Sequence, residues 1–179
     1  MGHLEAVAVP VFCSRPLYTH LQTSTRAGAR VTSRLRQLLL RYATYVPPPT
    51  SLNSTAGPQA VRVPEEVLTE EVCDDLKTRV CYIAARTSQV PTREGDDEGT
   101  RLEAYESMHA SNCSTQPITL KIPNLSRPPP VSGVGRGWLH IPGWVRERCH
   151  EVLFEDDSDE RSLQDLILES LLSVCLLLY

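Results

Sequence analysis

Three observations predict an α/β fold carrying long loops. Short valine-rich runs alternate with segments whose apolar residues recur at helical spacing. The chain has 179 residues, enough for one domain with a real core. Its 14 prolines against 9 glycines, with only 6% aromatic residues, assign much of the length to loops.

Residues 1–45 are expected to hold a strand or hairpin and then a helix. The run from Leu4 to Phe12 is short, apolar and valine-rich, as a strand requires. Ala27 and Gly28 open the helix. Val31, Leu35, Leu38 and Leu39 share one face, and Arg30, Arg34 and Arg41 lie outside it. Pro47, Pro48 and Pro49 end the helix and start a loop. A second helix is expected over 63–85. Pro64 suits its first turn, Glu65 and Glu66 suit the positive end of its dipole, and Val67, Leu68, Val72, Leu76, Val80 and Ile83 form its buried stripe.

Residues 86–116 are polar, with an acidic-glycine run at 94–99, and read as a flexible insertion. Within 117–141 a short strand runs from Pro117 to Pro123, followed by a proline-rich loop and Trp138 to Pro142. Two helices are expected in 142–179. The first begins at Gly143 or Trp144 and runs to about Phe154. The second is capped by Ser158 or Asp159, with Leu163, Leu166, Ile167, Leu171 and Val174 on its apolar side.

The net charge is -4, unevenly spread. Arg15, Arg26, Arg30, Arg34, Arg36, Arg41 and Arg62 crowd the first third, where Glu5 is the only acid. These arginines lack interleaved aromatics and any recognition motif, so they read as a solvated helix face and not as a nucleic-acid site. Glu155, Asp156, Asp157, Asp159 and Glu160 form an acidic stretch. No signal-peptide pattern is seen, and the apolar ending is too short to span a bilayer. The six cysteines make no CxxC pair or zinc spacing and read as reduced thiols in a cytoplasmic protein. The triplets beginning at Asn53, Asn112 and Asn124 match the glycosylation pattern by chance.

Chemistry-bearing motifs are sparse. Gly133, Gly135 and Gly137 are spaced like a phosphate loop, but they follow a proline run and not a strand, so they read as a linker. The five histidines are scattered, with no metal-binding spacing. No serine lies in GxSxG, and His150-Glu151 reads as a helix boundary and not as an acid–base pair.

Three segments, in order, resemble the actin and actin-related family. The run Gly2 to Phe12 looks like the strand leaving that family's phosphate hairpin. Ala27-Gly28-Ala29-Arg30-Val31-Thr32 is similar to its helix-opening Ala-Gly-Arg-Asp-Leu-Thr. Asp75-Leu76-Lys77-Thr78-Arg79-Val80-Cys81-Tyr82-Ile83-Ala84 is similar to its Asp-Ile-Lys-Glu-Lys-Leu-Cys-Tyr-Val-Ala. Val63 to Leu68, Glu151 to Asp156 and Leu166 to Leu171 narrow the resemblance to the actin-related subunits at the pointed end of dynactin.

The resemblance implies a partial actin-like, ribonuclease H-like ATPase fold, mainly the second-half subdomains, with long proline-rich and acidic insertions. It implies a vestigial nucleotide site at Gly2, Gly28 and Lys77, with no catalytic residue and no metal. His3 and Leu4 stand where the family has Asp-Gly, Asp74 where it has arginine, and Thr78 where it has glutamate. The chain is expected to be cut short at both ends, before Gly2 and after Leu172, so that ATP would belong only to a longer form. The expected function is a non-catalytic, cytoskeleton-associated dynactin subunit. Its partners would be the pointed end of the actin-like filament and the neighbouring pointed-end subunits, in dynein-driven transport. An actin-like ATP-binding protein and a non-functional truncated product are the alternatives.

Overall fold

The computed structural model describes residues 2–47, 59–83, 115–122, 137–155 and 161–175. The loop expectations for 48–58, 84–114 and 123–136, and the caps at Ser158 and Asp159, lie outside the described residues. Helices and antiparallel strands are mixed, in keeping with the α/β class.

The first expected strand is divided. β1 (Ala6–Ala8) pairs antiparallel with β4 (Gln22–Ser24), and Ala6 lies opposite Ser24. Between them β2 (Val11–Phe12) and β3 (Arg15–Pro16) make a tight hairpin. The break falls at Pro10, which has no N–H for a ladder and whose carbonyl accepts from Leu17 N at 2.9 Å. Cys13 and Ser14 form the hairpin loop with φ of 48° and 63°, the left-handed geometry that suits the strand twist.

α1 (Gly28–Tyr42) buries Val31, Leu35, Leu38 and Leu39 at the expected spacing. Each such side chain contributes about 1.5–3 kcal/mol. The solvated arginine face is not uniform, however. Arg34 is buried at 3% exposure, and its Nη2 lies 2.5 Å from Glu155 Oε2. Arg26 is also buried and donates to Val152 O at 2.8 Å. Glu155, the first residue of the acidic stretch, is therefore buried as well. The cause is the segment around 151–155, which crosses this height of α1 and brings one carboxylate with it.

α1 stops before the proline run because Thr44, Tyr45 and Val46 pair as β5 (Thr44–Val46). β5 lies between β6 (Val61–Arg62) and β8 (Trp138–Ile141), and β8 pairs with β7 (Ile118–Lys121). All three pairings are antiparallel. β8 alternates cleanly: Leu139 and Ile141 are buried, and Trp138 and His140 face outward.

The second expected helix is shorter at both ends. Glu65–Val67 form a single 3₁₀ turn, and α2 (Glu70–Val80) begins afresh. Thr69 is the reason: its Oγ1 accepts from Val72 N at 3.3 Å, with Glu70 and Glu71 behind it in the first turn. Arg36 Nε takes the Leu68 carbonyl at 3.0 Å, which fixes the break. At the other end Arg146 Nε takes the Val80 carbonyl, and Tyr82 N donates to Arg146 O. Ile83, expected in the stripe, is 59% exposed.

α3 (Gly143–Arg148) is followed by a 3₁₀ turn at Glu151–Leu153, in place of one helix to Phe154. α1, α2, α3 and the four-stranded sheet enclose one core that includes Leu35, Leu39, Leu76, Leu139, Ile141 and Val145. α4 (Leu163–Cys175) packs on β1 and β4. Its cap is Ser162, whose Oγ accepts from Asp165 N at 3.2 Å and lies 2.7 Å from Asp165 Oδ2. Its buried face is Leu166 and Ser170; Ile167 and Leu171, expected inside, are about half exposed.

Candidate functional site

The three residues assigned by resemblance to a nucleotide site come together at the foot of α1. Gly2 and His3 lie in a turn closed by Gly2 N donating to Glu5 O at 2.8 Å. α1 has no side-chain cap at Ala27. Its first N–H groups are taken by the chain's own backbone: Gly28 N donates to Gly2 O at 3.1 Å and Ala29 N to His3 O at 2.7 Å. A Cβ on Gly28 would lie 3.3 Å from both Gly2 O and His3 Cα, so a small residue favours this close approach.

Lys77, on α2, reaches across to this turn. Its Nζ donates to Asp74 Oδ1 at 2.6 Å, Thr32 Oγ1 at 2.7 Å and Gly28 O at 3.3 Å. An ammonium has three N–H donors, and all three are engaged. The Thr32 hydroxyl lies 2.6 Å from Asp74 Oδ1 and 3.0 Å from Gly28 O, and its single proton serves one of them at a time. The hydrogen bond from Lys77, then that from Thr32, holds the Asp74 carboxyl below its ordinary value of 3.8. His3 faces two acids, with Nε2 3.8 Å from Glu70 Oε1 and Nδ1 4.0 Å from Asp74 Oδ2.

This arrangement ties α1, α2 and the N-terminal turn together. It does not fit a nucleotide phosphate. The helix N–H groups that would meet an anion already hold carbonyls, Lys77 is neutralised by Asp74, and Glu70 adds a second negative charge. Thr78, on the same helix, turns back on the Asp74 and Asp75 carbonyls at 3.1 and 3.0 Å. Leu4 is 72% exposed and takes no part. The sequence reading missed Thr32. Thr32 closes the helix-opening motif that carries the resemblance, and its place four residues after Gly28 puts it on the face turned toward α2.

Elsewhere, burial pushes the Cys73 thiol up to about 11, leaving it an inert member of the core. Among the described residues no group of three or more His, Cys, Asp or Glu is placed to hold a metal ion. No described helix is long and apolar enough to cross a membrane. No protein-family model matches the chain.

Proposed function

We propose that this chain is a non-catalytic structural subunit of the actin-related type found at the pointed end of dynactin, similar to actin-related protein 10. The observation that carries this reading is the convergence of Gly2, Gly28 and Lys77, three residues far apart in sequence, at one junction whose polar groups satisfy each other. Such a junction suits a family scaffold whose nucleotide chemistry has been replaced by internal ties. The partners on this reading are the actin-like filament end and the neighbouring pointed-end subunits, and the setting is cytoplasmic dynein-driven transport.

Tagging the chain at its native level and purifying dynactin tests the proposal directly. Co-purification with the pointed-end subunits is the expected result, and clean absence from the complex refutes it. The family resemblance, and not this geometry, motivates a second reading, an actin-like ATP-binding protein. A fluorescent ATP analogue separates the two: saturable, magnesium-dependent binding would favour the second, and a flat titration the first.

A further inference from the structure

The four-stranded sheet has two unlike faces. Tyr45, Leu139 and Ile141 belong to the core shared with α1, α2 and α3. Strand alternation sends Thr44, Val46, Trp138 and His140 to the other side, and the registers set Arg62 of β6 and Thr119 and Lys121 of β7 beside them. All are exposed except Val46, which is partly so. Trp138 is 49% exposed.

The registers lay this outer face out in two rows. Arg62, Thr44, His140 and Thr119 form one row across all four strands, and Val46, Trp138 and Lys121 form the other. Strands lie about 4.8 Å apart and residues advance about 3.4 Å along them. The rows are therefore about 7 Å apart, and Arg62 and Lys121 stand on opposite edges of the sheet, about 14 Å across it. Trp138 lies between them, as the direct cross-strand partner of Lys121. Thr119 Oγ1 lies 3.0 Å from His140 Nδ1 and orients the imidazole.

The charge on this face is of one sign. The strands Thr44–Val46, Val61–Arg62, Ile118–Lys121 and Trp138–Ile141 hold no aspartate or glutamate. Among the described residues neither Arg62 nor Lys121 is in an ion pair, whereas Arg34, Lys77, Arg79, Arg148 and Arg161 each sit against a carboxylate. The arginines of the first third have no interleaved aromatic in the sequence. The fold supplies one to Arg62 by setting β8 two strands away.

We propose that this outer sheet face binds single-stranded nucleic acid. A base stacks on Trp138, and Lys121 and Arg62 neutralise phosphates to either side of it. A protein partner would need a continuous apolar centre, and here Trp138 has only Val46 beside it among hydroxyls and cations. A duplex keeps its bases stacked inside and offers no open ring to Trp138.

The test titrates the full chain into a fluorescein-labelled oligouridylate of about 12 nucleotides, a length that such platforms cover. Anisotropy should rise to saturation while Trp138 emission is quenched. Trp138→Ala should weaken binding about 5- to 150-fold, the loss of one stacked base. Lys121→Gln and Arg62→Gln should each lower the slope of log affinity against log salt by about 0.7, one phosphate contact apiece. These side chains are exposed, and an unchanged urea midpoint shows that each variant is folded. Arg15→Gln, on the β2–β3 hairpin, should change neither affinity nor slope. A flat titration overturns the proposal, and so does binding that Trp138→Ala leaves unchanged. Unlabelled polyglutamate or duplex competing as well as unlabelled oligouridylate would overturn it too, the first by marking a surface for acidic peptides.

Discussion

Replacing Glu155 by glutamine keeps the shape of the side chain and removes one charge from a buried pair. Arg34 Nη2 and Glu155 Oε2 are 2.5 Å apart, and the two side chains are only 3% and 6% exposed. With charge centres about 4 Å apart and an effective dielectric near 20, their attraction is about 4 kcal/mol. Removing one partner of such a pair costs about 3–5 kcal/mol, because the remaining charge stays desolvated. That is a large share of the roughly 5–15 kcal/mol by which a domain of this kind is stable. The pair also pins the turn at Glu151–Leu153 and the residue after Phe154 onto α1, so its loss should loosen that segment first.

Urea unfolding followed by tryptophan fluorescence is the assay. Trp144 is buried and packs edge-on against Tyr42 with ring centroids 4.7 Å apart, so its emission reports this core. Glu155→Gln should lower the midpoint steeply. The double substitution Arg34→Met with Glu155→Leu should recover most of the loss, because neither charge of the pair then remains buried. A Glu155→Gln loss below about 0.5 kcal/mol, the range of an ordinary surface change, would refute the pair's importance. So would a double variant no more stable than the single one.

Three further perturbations follow from the geometry. A Cβ on Gly143 would run into the backbone carbonyl of Thr115, which cannot swing aside as a side chain can, so Gly143→Ala should cost about 3 kcal/mol in the same unfolding assay. Ser14 sits at φ 63° in the tight hairpin, so Ser14→Gly should stabilise by about 0.5–1 kcal/mol, read as a raised melting temperature. Asp74 has a folded pKa below its unfolded value near 3.8, so its contribution is complete above that value and is lost as pH falls through the folded one. Asp74→Asn should therefore lower stability at neutral pH and flatten the acid limb of the melting-temperature profile, whereas an unchanged acid limb would remove Asp74 from the account.

The sequence made the helices legible where a strong stripe coincided with a real neighbour. Val31, Leu35, Leu38 and Leu39 mark α1 by spacing alone, and all four are inside. The short strands were not legible. β3 and β6 are two residues long, and nothing in Arg15–Pro16 or Val61–Arg62 has a period. They exist because β2 and β5 offer an edge. The candidate site was half legible. Resemblance pointed to Gly2, Gly28 and Lys77, but that Lys77 is engaged by Thr32 and Asp74 depends on α1 and α2 packing side by side, which no local pattern records.

Arg34 shows why periodicity cannot supply the rest. Arg34 and Arg41 are seven residues apart, so on an ideal helix they point within about 20° of each other. The wheel gives them one environment, and the sequence accordingly placed both on the solvated face. In the fold Arg34 is buried against Glu155, while Arg41 is exposed, its guanidinium 5.4 Å from the Tyr42 ring. Angle is the same; height along the axis is not. The segment around Glu151–Glu155 crosses α1 at the level of Arg34 and misses Arg41, about 10 Å further along at 1.5 Å per residue. Helical spacing reports which side of a helix turns inward, and only the path of the rest of the chain decides at which level that side is covered. The same logic governs Lys77, whose role is set by the level at which the Gly2–His3 turn meets the start of α1. A substitution at Gly28 that widened this junction should therefore weaken the Lys77–Asp74 tie without touching either residue, and the depressed Asp74 pKa, measured by carboxyl carbon NMR, should rise toward its ordinary value. An Asp74 pKa unmoved in Gly28→Val would show that the tie is held by α2 alone.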